Sequence, residues 1–266
     1  MMNKKISLIL LTYNRPDALA LVLLSIKNQT VLPDEVIIAD DGSTPETSTK
    51  IKSWQTTFPV PLLHVWHEDR GYRISSIRNK AVKICNGNVL VFSDGDLFFH
   101  PKAIEDYKRK IKPGEALIGS RVFLTRKATQ NRITNRKFNP VFPFFSPEIE
   151  LNRLNSIRIP LLYFFLKPLQ FSKHLRGGLL CLWKDELVAV NGWNEEFSGW
   201  GLEDTELVFR LFNHGTLFRK VKFQALTYHL WHKVQARDQI SKNKELLEHT
   251  MQSNITRCKK GLELLD

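Results

Sequence analysis

The stretch Val89-Leu90-Val91-Phe92-Ser93-Asp94-Gly95-Asp96 decides the fold. Its short β-branched apolar run, bounded by turn residues, reads as a buried strand and is too short for a helix. Two carboxylates flanking a glycine follow at once. In an open α/β sheet the carboxyl ends of the strands face the ligand crevice. Two acids there are costly unless something positive sits between them. A hard divalent cation bridging phosphate oxygens satisfies them, since such ions prefer oxygen ligands. Taken alone, the same residues also fit an Asp-Gly turn between two surface elements. The flanking segments have to decide.

Upstream, Ile6-Ser7-Leu8-Ile9-Leu10-Leu11 is a near-continuous apolar run, the pattern of a parallel strand buried on both faces. It ends in Thr12-Tyr13-Asn14-Arg15-Pro16, and Pro16 suits the first turn of a helix carrying Leu19, Val22, Leu23 and Ile26. Val36-Ile37-Ile38-Ala39 predicts a second strand, ending in Asp40-Asp41-Gly42-Ser43. A helix to about Trp54, a strand over Leu62 to Trp66 and a helix over Ile74 to Ile84 complete the series. Strand and helix alternate, so the first hundred residues read as doubly wound α/β. No GxGxxG or GxxxxGK[ST] occurs, which argues against dinucleotide-binding Rossmann and P-loop chemistry.

Downstream, the pattern predicts a helix over Ile104 to Ile111, a Pro113-Gly114 turn and a strand over Ala116 to Gly119. Residues 125 to 172 then lose any steady period, which marks a functional or mobile segment. Within it, Pro160-Leu161-Leu162-Tyr163-Phe164-Phe165-Leu166-Lys167-Pro168 lies beside Arg153, Arg158, Lys167 and Lys173. The plainer reading is a core-covering helix, and the sharper one a monotopic contact with anionic lipid. Gly177 to Trp183 reads as a strand. A helix from Thr205, with Leu207, Val208, Leu211 and Phe212 on one face, stops at Gly215. Tyr228 to His232 ends another strand-like segment, and the tail is polar and helical in pattern.

A chain of 266 residues can bury a full core. Its net charge of +12 implies attraction to anions: nucleotides, nucleic acid or a membrane surface. Three scattered cysteines suggest neither a disulfide framework nor a CxxC metal site, and point to a reducing, cytosolic compartment. The N-terminal apolar run is too short for a signal peptide, and no run reaches the roughly 18 residues of a membrane span. The sequons at Asn28 and Asn254 therefore carry no weight.

Taken in order, six motifs resemble glycosyltransferase family 2 with a GT-A fold, a Rossmann-like doubly wound mixed sheet with a C-terminal acceptor-side region. They are Thr12-Tyr13-Asn14-Arg15-Pro16, Asp40-Asp41-Gly42-Ser43, Gly71-Tyr72-Arg73 with Arg78-Asn79, Ser93-Asp94-Gly95-Asp96, Gly199-Trp200-Gly201-Leu202-Glu203-Asp204 and His229-Leu230-Trp231-His232. More narrowly, the chain is similar to bacterial chondroitin-polymerase-like and lipopolysaccharide or capsule sugar transferases, with a galactosyltransferase-like C-terminal module. The resemblance implies a nucleotide-sugar-binding half over 1–100, an acceptor-binding and catalytic half over 101–235, and a helical tail over 236–266. It implies inverting, metal-dependent transfer from a UDP-sugar to a hydroxyl of a saccharide or lipid-linked saccharide, in surface polysaccharide or lipopolysaccharide assembly. The expected cofactor is Mn2+ or Mg2+. The expected place is the cytoplasm, with peripheral contact at the inner face of an anionic membrane and no nucleic-acid partner.

By that likeness Asp96 is the direct metal ligand, and Asp94 contacts the ribose or a metal-bound water. His229 resembles a third ligand, and imidazole suits Mn2+ better than Mg2+. His232 is an alternative ligand or a phosphate contact. Thr12, Tyr13, Arg15, Asp40, Asp41 and Arg73 make up the nucleotide-binding set, with one of Asp40 and Asp41 free to cap the turn instead. A carboxylate can accept the uracil N3–H, which favours uridine. Arg78 either contacts the nucleotide or braces the sheet. Asp204 is the candidate base, Glu203 holds hydroxyls and Trp200 offers a face to a sugar ring. Gly199 and Gly201 would let that turn reshape as a lid. The Glu-Asp pair departs from the Glu-Asn of related retaining transferases, which argues for inversion. The two acids would also complement a helix N-terminus.

Two other classes compete. A non-enzymatic basic protein fits the charge, but no nucleic-acid module is visible. A sugar nucleotidyltransferase would want a glycine-rich, lysine-bearing N-terminal loop, which Thr12 to Pro16 lacks.

Overall fold

The first hundred residues alternate as their apolar runs require: β1 (Ile6–Thr12), α1 (Pro16–Lys27), β2 (Glu35–Asp40), α2 (Pro45–Gln55), β3 (Leu62–Trp66), α3 (Ile74–Ile84) and β4 (Val89–Asp94). A computed structural model gives this architecture and describes residues 3–139, 145–172, 175, 177–233 and 240–264. After β4 come β5 (Leu97–Phe99), α4 (Ala103–Lys110), β6 (Glu115–Ile118), β7 (Ser120–Leu124), α5 (Arg126–Thr134) and β8 (Ile149–Leu151). Then follow β9 (Leu180–Trp183), α6 (Lys184–Ala189), α7 (Glu203–His214), β10 (Leu217–Lys220), β11 (Leu226–His229) and α8 (Ile240–Gln252).

The main sheet has the order β10-β6-β9-β4-β1-β2-β3, parallel except for β9, which runs antiparallel to both its neighbours. Side chains alternate across it with period two. Leu8, Leu10, Ile38 and Val91 face one layer with α1, while Ile9, Ile37, Leu90 and Phe92 face the other with α3 and α7. Burial on both faces is why these strands read as unbroken apolar runs. A second sheet, β5-β11-β7-β8, stands beside the carboxyl end of β4.

The irregular region holds more order than its pattern suggests. The strand expected to end at Gly119 stops at Ile118, and the chain re-enters the second sheet as β7 from Ser120. α5 follows directly, with Thr125 capping it by accepting from the Ala128 amide at 3.2 Å. The core-covering helix expected over 160–168 is not formed. Pro160–Phe165 is instead a 3-10 turn with no buried residue. Lys173, counted with that patch, lies outside the described residues. Among the described residues no helix is long and apolar enough to cross a membrane. The three cysteines are free and buried.

The C-terminal tail is built into the body. In α8, fully buried Asn243 donates to the Gly201 carbonyl at 2.9 Å. Beyond it, the Glu195 amide donates to the Lys260 carbonyl, and the Leu262 amide to the Asn191 carbonyl.

Candidate active site

Register brings the motif residues together. Thr12 pairs with Asp40 across β1 and β2, and Leu11 with Asp94 across β1 and β4. The three carboxyl ends therefore open on one side, where the strand order reverses around β1. A crevice of about 270 Å³ lies there, lined by Thr12, Tyr13, Arg15, Asp41, Asp94, Asp96, Arg121, Trp200, His229 and His232. A second cavity of about 220 Å³ shares Tyr72, Asp94, Arg121 and Trp200 and reaches Glu203 and Asp204. Gly95 makes the tight turn between the two acids possible. Its amide donates to the Leu11 carbonyl at 2.6 Å, and a Cβ on it would meet that oxygen at 2.6 Å.

Asp96 sits against histidines. β11 pairs His229 with Leu97 of β5, the residue after Asp96. The His229 Nε2 is 3.8 Å from Asp96 Oδ1, and His232 Nε2 is 3.4 Å from Oδ2. Ligand atoms of Asp96, His229 and His232 all lie within 4.8 Å of one another. Burial pushes the His229 ring below its ordinary value, which keeps a lone pair available. Arg15 Nη1 contacts Oδ2 at 2.5 Å, whereas Oδ1 is buried without a hydrogen-bond partner. An orphaned carboxylate oxygen facing imidazoles is a mixed donor set that fits a divalent ion such as Mn2+.

Asp94, two residues away, is enclosed by arginines. Arg78 of α3 approaches its Oδ1 at 3.5 Å and Arg121 of β7 its Oδ2 at 3.4 Å. Arg78 also pairs with Asp204 at 3.1 Å and Glu203 at 3.9 Å, while its guanidinium lies 4.2 Å over the Trp193 ring. It therefore balances three carboxylates and braces the sheet at once. Burial, then Asp204, pushes the Glu203 carboxyl up to about 8. Burial also raises Asp204, opposed by Arg78. Arg78 Nη1 donates to Asp204 Oδ1, which opposes that rise without reversing it. Glu203 Oε2 is buried without a partner.

Both acids open α7, so they do complement its N-terminus, and α7 begins at Glu203 rather than Thr205. The turn before it is wound through positive φ at Gly199 (72°), Gly201 (103°) and Leu202 (76°). Leu202 holds a conformation that side chains resist, so the acids are delivered by a strained connection.

The nucleotide set divides. Thr12, Tyr13, Arg15, Asp41 and Asp94 line the crevice. Asp40 is fully buried behind it, accepting from the Ser43 amide at 2.9 Å and pairing with His64 at 3.0 Å, so it is the turn-capping acid. Asp41 pairs with His67 at 2.7 Å and accepts from the Arg73 amide at 3.1 Å. Burial pushes Asp41 up and His67 down. The Arg73 side chain turns to the Glu68 carbonyl at 2.7 Å and does not line the crevice. The Tyr13 hydroxyl donates to Asp69 at 2.9 Å.

Three residues of the site carried no sequence signal strong enough to single them out: Tyr72, which lines both cavities, Arg121, and His67 behind Asp41. Tyr72 stands inside the Gly71-Tyr72-Arg73 motif, between residues that draw the eye first. Arg121 stands just past the strand expected to end at Gly119, and only the pairing of β7 with β11 brings it to Asp94.

Known proteins match most of the chain. The family model "Glycosyl transferase family 2" matches residues 7–170, and "N-terminal domain of galactosyltransferase" matches 165–233. Chondroitin synthase of Escherichia coli is 28% identical over 84% of this chain and 34% of its own length. Validoxylamine A glucosyltransferase of Streptomyces hygroscopicus subsp. limoneus is 26% identical over 79% of this chain and 48% of its own length. The chain thus spans a third to a half of these relatives. S. aureus TarS 1-349, solved in complex with UDP-GlcNAc, shares the fold with a TM-score of 0.66 at 15% identity, over 97% of this chain and 68% of that one.

Proposed function

Because this chain belongs to glycosyl transferase family 2, we propose that it moves a sugar from a uridine diphosphate sugar to a hydroxyl of a saccharide acceptor, with inversion at the anomeric carbon. The observation that supports this reading is a pair of adjoining cavities that share Asp94, Arg121 and Trp200, one lined by Asp96, His229 and His232 and the other by Glu203 and Asp204. Residues 1–100 would hold the nucleotide and 101–235 the acceptor. The acceptor, free or carried on a lipid, would serve surface polysaccharide or lipopolysaccharide assembly.

Asp41 accepts from the uracil, and Thr12 and Tyr13 flank the nucleoside. Asp96, His229 and His232 would hold Mn2+ or Mg2+. Bound there, that ion neutralises charge developing on the departing diphosphate. Asp204, held by a hydrogen bond from Arg78, accepts in its carboxylate form the proton of the acceptor hydroxyl while that hydroxyl's oxygen attacks the anomeric carbon. The bond from that carbon to the diphosphate oxygen breaks on the opposite face, and its electron pair leaves with the nucleotide. Glu203, protonated at neutral pH with its carboxyl at about 8, donates to a sugar hydroxyl. Trp200 stacks on the ring as the Gly199 to Gly201 turn closes.

A thermal-shift panel of UDP-, GDP- and CDP-sugars with and without Mn2+ tests this. UDP-sugars should raise Tm, and only with the ion. Stabilisation by a GDP- or CDP-sugar instead removes the uridine assignment. Equal stabilisation without the ion removes the metal assignment.

A further inference from the structure

The apolar turn Pro160–Phe165 has no place in this reaction, yet Leu161, Phe164 and Phe165 are 73%, 75% and 81% exposed. A soluble surface rarely leaves such large apolar groups together without a use. The turn is held at its base. The Ile159 amide donates to the Phe223 carbonyl at 3.0 Å and the Leu169 amide to the Phe218 carbonyl at 2.7 Å. Its tip is therefore an anchored projection.

Cations surround it. Lys110 Nζ lies 4.4 Å over Tyr163 and 4.5 Å over Phe164. Lys110 closes α4, whose last turn is Lys108-Arg109-Lys110, and Lys4 and Lys112 line one cavity with Lys108 and Arg109. The acids paired there are Asp34 with Lys108 and Glu105 with Arg109.

We propose that this tip and the basic end of α4 dock the protein on an anionic phospholipid surface, with Leu161, Phe164 and Phe165 entering the headgroup boundary. Aromatic rings and aliphatic stems suit that depth, and lysines beside them suit acidic headgroups. Charge decides the occupant. A second copy meeting this face symmetrically would set the α4 cations against each other, which is unfavourable. From the tip the chain runs on to Leu169 and Leu175. They line a cavity of about 410 Å³ together with Arg121, which also lines the candidate active crevice. A lipid-borne acceptor held at the surface would meet this entrance. That use rests on the proposed transfer, whereas the docking itself does not.

Vesicle flotation of the full chain tests the surface without any sugar donor. It should float with an equimolar mixture of phosphatidylcholine and phosphatidylglycerol, not with phosphatidylcholine alone, and release in high salt. Leu161→Ser/Phe164→Ser/Phe165→Ser should weaken binding about tenfold or more, since burying a single Phe is worth about that factor. Its thermal unfolding should be unchanged. Arg109→Glu/Lys112→Glu, both exposed, should weaken binding to the mixed vesicles independently. Failure to float with either vesicle, equal binding by the triple variant, or equal binding to neutral vesicles would overturn the proposal. So would concentration-dependent dimerisation that the triple variant abolishes. A failed UDP-sugar thermal shift alongside intact flotation would leave the docking standing and remove only the transfer reading.

Discussion

Asp94 and Asp96 differ by one glycine in sequence and by everything in their surroundings. Asp94 is matched on both oxygens by arginines from α3 and β7. Asp96 has one oxygen on Arg15 and the other buried, unpaired and facing His229. The first acid has an arginine at each oxygen, whereas the second keeps one oxygen without a partner. Two equal-looking carboxylates of one crevice can thus be held quite differently, and the difference depends on residues that lie far off in sequence.

The largest effect should come from removing Asp96, the acid with an unpaired oxygen. Asp96→Ala should cost several kcal/mol in transition-state stabilisation, about 10³-fold or more in kcat/KM, with unchanged folding. Mn2+ binding by titration calorimetry should be lost with it. Asp204→Asn tests the adjoining cavity, with a fall of about 10²–10⁴-fold in kcat and little change in donor binding. Because burial raises Asp204, kcat of the native enzyme should rise with pH through a value above the usual carboxylate range, and that limb should vanish in the variant.

Arg78→Met addresses the acid flanked by arginines. It strands Asp94, Glu203 and Asp204 together and should cost about 3–5 kcal/mol of stability by denaturant unfolding, with greater loss at high pH where all three ionise. The smallest effect is expected from Glu203→Gln. Glu203 holds its proton up to about 8 in the fold against 4.5 ordinarily, so it favours the fold most below 4.5 and loses that contribution as pH rises through about 8. Glutamine resembles the protonated acid, and the variant should show a flatter stability profile across that window.

Much of this was legible in the chain. β1, β2 and β4 are buried on both faces, so their limits follow closely from the apolar runs. Asp96, Glu203, Asp204 and His229 stand at element ends, where turn chemistry marks them. What escaped was short or long-range. β5 has three residues, too few for any period, and Arg121 acquires its partner only through sheet pairing. The Pro160–Phe165 turn escaped for another reason: an apolar composition reads alike whether it covers a core or projects from it. Asp40 and Asp41 are neighbours in one motif, and only the fold turns one to His64 behind the sheet edge and the other toward the crevice.

The polar tail has a practical bearing on how this protein can be shortened. Its composition makes it the obvious segment to trim, yet Asn243 holds the Gly201 carbonyl and Lys260 holds the amide of Glu195. Glu195 in turn belongs to the segment whose Trp193 ring underlies Arg78. A chain ending near residue 235 would keep every group of the proposed site and lose contacts to Gly201 and Glu195 beneath it. Its impaired activity would then be misread as a missing catalytic residue.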